Sequence, residues 1–160
     1  MRTAFAPLLG AALLAMTAMT GCDSQPASSA APVAAPQEAT LEMGDTTVRA
    51  SVVQTSALNE GIARQYGIQR GDDIVMLLVG LREGPSAEET SVPASVTARV
   101  TNLRGQKQVV EMRELRSGDL VDYVGTLQVS PPDTLVFELS IELEGGPAST
   151  MRFTREFFPR

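Results

Sequence analysis

Histidine and tryptophan are absent from the 160 residues, cysteine occurs once, and the aromatics are two tyrosines and five phenylalanines. Each absence excludes something. Without histidine the chain lacks the commonest neutral-pH base and the commonest zinc ligand. One cysteine allows no internal disulfide, so stability has to come from a packed core. Lysine occurs only at Lys107, and acids outnumber cations 19 to 13. Nucleic-acid binding draws its strength from clustered Lys and Arg, so no nucleic-acid partner is expected. The same charge balance sets the domain as a whole against anionic lipid head groups.

The chain opens with Arg2, then an apolar run from Ala4 to Ala15, then Met19-Thr20-Gly21-Cys22. A positive start followed by a short apolar middle has the layout of a secretory signal. It is too short to span a membrane, which takes roughly 20 apolar residues. No good A-x-A cleavage site follows the run, whereas Gly21-Cys22 resembles the lipid-attachment box of bacterial lipoproteins. That resemblance implies a signal peptide over residues 1–21 and a lipid-modified Cys22 as the new N-terminus. Three acyl chains would bury several tens of methylenes at about 0.8 kcal/mol each, an effectively permanent anchor. The expected location is the periplasmic side of the bacterial envelope. Asp23 resembles an inner-membrane retention signal, a rule that varies between bacterial groups, so either membrane fits. Loss of Arg2 takes the net charge from -6 to -7.

Residues 22–40 carry the lipid and then read DSQPASSAAPVAAPQEAT, rich in Ala, Ser and Pro and without regularly spaced apolar residues. This composition predicts a disordered linker, with an average span of about 23 Å and a limit of about 60 Å. Residues 41–160 are then a single domain of ordinary size, large enough for one apolar core.

Within the domain, apolar and polar residues alternate and turn residues recur about every ten positions, which predicts an antiparallel β-sandwich. Val48, Ala50 and Val52 set one inward face, Val96, Ala98 and Val100 another. Asn102-Leu103-Arg104-Gly105 reads as a turn into a strand from Gln106 to Leu115. Val121, Tyr123, Leu127 and Val129 form the next inward set. After Pro131-Pro132-Asp133, the residues Leu135, Phe137, Leu139, Ile141 and Leu143 alternate with a wet face, and Met151, Phe153 and Phe157 close the fold. The segment Ile74 to Leu81 is apolar on both faces, as in a central strand covered on both sides or partly by the first connection. Asn59 can cap a helix from Glu60 to Tyr66, with Gly67 ending it. The expected fold is therefore all-β, an immunoglobulin-like sandwich of about seven strands with one short helix.

Four stretches carry a family resemblance: Ile62-Ala63-Arg64-Gln65-Tyr66-Gly67-Ile68-Gln69-Arg70, Thr101 to Gln106, Arg113 to Asp119, and Phe153 to Phe158. Together they resemble a bacterial envelope family known as domain of unknown function 4426, over roughly Met43 to Phe158. The resemblance implies a secreted, mostly β domain, and no activity, cofactor or catalytic residue comes with it. The stretch Glu83 to Thr90 reads as an insertion.

Carboxylate pairs are the remaining candidates for chemistry. Glu138 and Glu142 fall about 13 Å apart along a strand, too far for a glycosidase pair, while Glu142 and Glu144 fall about 6.6 Å apart, near the inverting distance. Both project from the polar face of an amphipathic strand, which reads as solvated surface. Adjacent Asp72 and Asp73 lack the spaced oxygens of a calcium loop, and Lys107 beside a turn reads as solvated. No catalytic, metal or cofactor residue is assigned. Tyr66, Arg70, Arg113 and Arg116, with Tyr123, are candidates for a binding surface, because Tyr and Arg dominate hot spots. Against this, Tyr66 can pack the helix onto the sandwich, Tyr123 lies inward, and the arginines can pair with Glu111 and Glu114.

The expected function is a non-catalytic accessory module, membrane-attached through its lipid and binding another envelope protein. An alternative, motivated by Ile74 to Leu81, is a carrier or sensor of a small apolar ligand, which would need a pocket of about 300 Å³ or more. A hydrolase is a remote third reading.

Overall fold

A computed structural model describes residues 38–146 and 148–160. The signal, Cys22 and the linker up to residue 37 lie outside the described residues. The described chain forms ten strands in two antiparallel sheets. The strands are β1 (Glu38–Met43), β2 (Thr46–Gln54), β3 (Ile74–Glu83), β4 (Thr90–Ser91), β5 (Ala94–Asn102), β6 (Lys107–Val110), β7 (Arg113–Ser117), β8 (Leu120–Gln128), β9 (Asp133–Leu143) and β10 (Ala148–Phe157). One sheet runs β1-β2-β3-β8-β7, with β4 attached to β3; the other runs β10-β9-β5-β6.

The alternation read from sequence fixes which residues meet between the sheets. Val48, Ala50 and Val52 pair with Leu81, Val79 and Leu77, and Val96, Ala98 and Val100 pair with Ile141, Leu139 and Phe137. All of them are buried in one continuous core. A one-residue slip would turn each of these side chains to solvent, so burial specifies the register.

Three features extend the seven-strand expectation. β1 takes in Glu38, Ala39 and Thr40, which the composition had assigned to the linker. Ala39, Leu41 and Met43 alternate inward against the core, and this alternation follows directly on the Ala/Pro-rich stretch that masks it. β4 is a two-residue strand that pairs with Arg82 and Glu83 just beyond the end of the β3–β8 ladder. The third is a correction: Gln106 to Leu115 is not one strand. β6 pairs with β5 in one sheet and β7 with β8 in the other, so the chain changes sheets at Glu111-Met112.

Gly125 is what permits this crossing. A Cβ there would lie 2.6 Å from Val110 Cγ1, 2.8 Å from the Glu111 carbonyl oxygen and 2.8 Å from Met112 Sδ. The crossing segment thus packs on the bare backbone of β8, and backbone oxygen cannot rotate away as a side chain can. Gly125→Ala should cost about 1–3 kcal/mol, as overpacking does, read as a lowered urea midpoint at unchanged slope.

The connection from β2 to β3 holds a 3-10 turn (Thr55–Ala57) and the helix α1 (Glu60–Gln65). Asn59 caps α1 as expected, its Oδ1 accepting from Gly61 N–H at 2.8 Å, and Gly67 follows at φ 64°. Tyr66 is the C-cap. The outer face of β3 places Met76 and Leu78 beside Thr126 and Val124 of β8, and Val124 is fully buried although its register turns it away from the core. Its neighbour in β7, Arg113, donates to the Tyr66 carbonyl. The end of α1 is therefore bound to β7 beside this face, and Met76 and Leu78 on the outer side of β3 are half-buried.

Candidate functional site

Each candidate surface residue has a structural partner. Arg113 donates to the Tyr66 carbonyl, Arg70 donates to the Ser56 carbonyl at 2.7 Å, and Arg116 pairs with Glu114 at 2.7 Å. Of the four, only Tyr66 and Arg113 are brought together, and there Arg113 fastens α1 to β7. Tyr66 is half-buried, while Ala63 and Ile68 are the buried side chains of this connection. Tyr123 is inward as expected. Its hydroxyl accepts from Ala94 N–H at 2.9 Å and so ties β8 of one sheet to β5 of the other.

Glu142 and Glu144 lie at the end of the sandwich that carries the 118–119 and 144–146 turns. Folding adds Glu114 and Tyr123 to them around a depression of about 330 Å³. All three carboxylates are exposed. A second depression, of about 580 Å³, lies at the opposite end among Asp73, Asn102, Arg104, Lys107, Gln128 and Asp133. Both exceed the volume an apolar ligand would need, yet no residue from Ile74 to Leu81 lines either one. Ile74, Val75, Leu77, Val79 and Leu81 of that segment are buried in the fold.

The strongest electrostatic feature was not singled out from sequence. Arg82, in the penultimate position of β3, is 9 % exposed. It forms a close ion pair with Asp122 of β8 and donates to the carbonyls of Leu81 and Val121, each at 3.0 Å. Gly80 makes room for it: a Cβ there would stand 2.9 Å from Asp122 Oδ1. On the neighbouring strand, Arg49 grips Glu89 through two hydrogen bonds of 2.8 and 3.0 Å. Glu89 belongs to the stretch read as an insertion, which is thus a strap tied across the outer face of the first sheet. Ser91 completes the tie by accepting from Val121 N–H at 2.7 Å. The available signal was Gly80, since a lone glycine inside a strand pattern marks a close approach.

The hydrogen bond from Arg49 is the main cause that holds the Glu89 carboxyl below its ordinary 4.5; desolvation opposes it, and the charges of Arg49 and Arg82 add to the lowering. A carboxyl lowered in the folded state stabilises above its unfolded value, and that stability is lost as pH falls through the folded value. The strap should therefore loosen below about pH 4.5. Denaturant midpoints at pH 6 and pH 3 should differ more for the unaltered chain than for Glu89→Gln; equal differences would contradict the assignment.

Among the described residues, no three His, Cys, Asp or Glu side chains converge as metal ligands, and no helix is long and apolar enough to cross a membrane. Comparison with known proteins accords with the fold. The model of a domain of unknown function, DUF4426, matches residues 40–160. A crystal structure of a DUF4426 family protein from Pseudomonas aeruginosa is 28% identical, with a TM-score of 0.66 over 77% of this chain and 96% of that one. FetP of uropathogenic Escherichia coli strain F11, recombinantly expressed in the periplasm, is 10% identical with a TM-score of 0.57 over 79% and 97%. A copper-bound FetP variant is 11% identical with a TM-score of 0.56 over 78% and 97%. At such identities FetP shares the fold alone. No curated protein matches the chain.

Proposed function

The chain belongs to the DUF4426 family, and from that premise we propose that it is a non-enzymatic lipoprotein of the bacterial envelope whose sandwich binds another envelope protein along an open strand edge. The observation that carries this reading is β10. It ends its sheet with β9 as its only hydrogen-bonded strand, over ten consecutive residues, Ala148 to Phe157, while β1 of the other sheet approaches it at a few positions. The edges at β6 and β7 are short, and the chain itself crosses between the sheets there. β10 is long, regular and free of proline, the geometry by which a partner strand adds to a sheet.

The polar residues support the same reading from the other side. Arg49, Arg70, Arg82, Arg113 and Arg116 are engaged in structural bonds, and the exposed Glu114, Glu142 and Glu144 have no histidine or cysteine to work with in the domain. Attachment through Cys22 and a periplasmic location follow from the lipid-box resemblance, in keeping with the periplasmic expression of FetP.

A photo-crosslinking residue at Thr154, on the outer face of β10, should trap one specific envelope protein in intact cells, whereas the same residue at Thr97, in the centre of its sheet, should not. Recovery of only lipid and abundant proteins from both positions would contradict the reading. In parallel, Cys22→Ala should abolish lipid labelling and release the domain from membranes. Retention with labelling intact would show that Cys22 is not the anchor.

A further inference from the structure

The two ends of the sandwich differ in chemistry. The end formed by the turns at 44–45, 84–89, 118–119 and 144–146 gathers Asp45, Glu83, Glu88, Asp119, Glu142 and Glu144. At the other end lies the β5–β6 hairpin, whose Arg104 and Lys107 side chains make no ion pair or hydrogen bond among the described residues. Leu103 at its tip is 76% exposed, and Phe158, which follows β10 to the same end, is 62% exposed. Asp73 and Asp133 line the same depression. This end is therefore mixed in charge, and what distinguishes it is free cations interleaved with exposed apolar side chains.

The chain also enters the domain at this end. Glu38 pairs with Ser51, three residues from the Gln54–Val75 pair that closes the ladder. Val75 in turn pairs with Leu127, and the adjoining Gln128 and Val129 line the depression with Arg104 and Lys107. Phe158 accepts from Gln54 through its carbonyl oxygen. Sixteen residues, from Cys22 to 37, separate the anchor from Glu38, a reach of at most about 55 Å.

From this convergence we propose that the β5–β6 hairpin end rests on the anionic lipid surface that holds the anchor, with Leu103 and Phe158 entering the head-group layer and Arg104 and Lys107 on lipid phosphates. The proposal rests on the lipid-anchor reading. Glu38, Asp72, Asp73, Asp133 and Glu156 also lie at this end, so the attraction is confined to the hairpin tip, where residues 103–107 carry two cations and no acid.

The test uses the full-length lipoprotein in vesicles of phosphatidylethanolamine with phosphatidylglycerol. A fluorophore is attached through Leu103→Cys or, at the far end, Asp119→Cys, and a quencher is carried on lipid head groups. Quenching at position 103 and little at 119 is the expected result; equal quenching in a protein that floats with the vesicles would overturn the proposal. Flotation and the count of labelled thiols report separately on the anchor. To decide the matter if the anchor reading fails, the soluble Cys22→Ala chain is titrated with the same vesicles. Its binding should weaken about 30-fold on adding Arg104→Gln and Lys107→Gln, which removes one lipid-surface interaction per cation. Binding unchanged by that double substitution, or no binding at all, would overturn the proposal whatever the state of Cys22.

Discussion

Asp122→Ala should destabilise the domain by about 3 kcal/mol, the lower end of the range for removing one partner of a buried ion pair. The side chains of Arg82 and Asp122 are 10% and 20% exposed, so the guanidinium left behind could not recover full hydration. The loss stops short of the maximum because Arg82 keeps its bonds to the carbonyls of Leu81 and Val121. A second variant separates the pair from the residue. Arg82→Met combined with Asp122→Ala should regain most of the stability, because an apolar replacement of a buried pair is often neutral or better. Urea denaturation checks both, and an Asp122→Ala midpoint equal to that of the unaltered chain would sink the argument. The strap over residues 84–91 should loosen in the single variant, since Ser91 bonds to the backbone of Val121 beside the missing carboxylate.

This pair also shows where a sequence stops being legible. The strands of the core could be read because their information is local: inward side chains recur every second residue, and Leu135 to Leu143 states its face without help from the rest of the chain. The helix could be read for the same reason, with Asn59 and Gly67 at its ends. Non-local events were hidden. Nothing near Gln106 to Leu115 says that the chain changes sheets after Val110, because the cause is Gly125, a residue in the partner strand. Arg82, Asp122 and Glu89 lie in three separate segments, and each alone reads as solvated charge. Among the candidate surface residues, sequence named the right chemistry for Arg113 and Tyr66 but not the right use, since the bond joins a guanidinium to a main-chain carbonyl. Tyr123 was legible as inward, while its hydrogen bond to Ala94 depended on how the two sheets stack.

Phe137→Ala should cost about 3–5 kcal/mol, because its ring is fully buried at the centre of β9 and the surrounding strands can close only part of the space it leaves. Against a typical domain stability of about 5–15 kcal/mol this approaches unfolding, whereas Phe137→Leu should cost about 1 kcal/mol or slightly more. The damage has a direction. Phe153 of β10 stacks on Phe137 with ring centres 5.1 Å apart and planes 7° from parallel, and the Arg155 guanidinium lies 4.8 Å above the Phe153 ring. Removing Phe137 takes the floor from under this stack, so hydrogen exchange in β10 should accelerate before that in β2 or β3. Asp122→Ala acts on the opposite sheet at a comparable energetic cost. If β10 is the recognition edge, crosslinking at Thr154 should fail in Phe137→Ala at a temperature where both variants remain folded, and persist in Asp122→Ala. Equal loss in the two would mean that partner binding follows global stability, and the edge would lose its claim to be the contact.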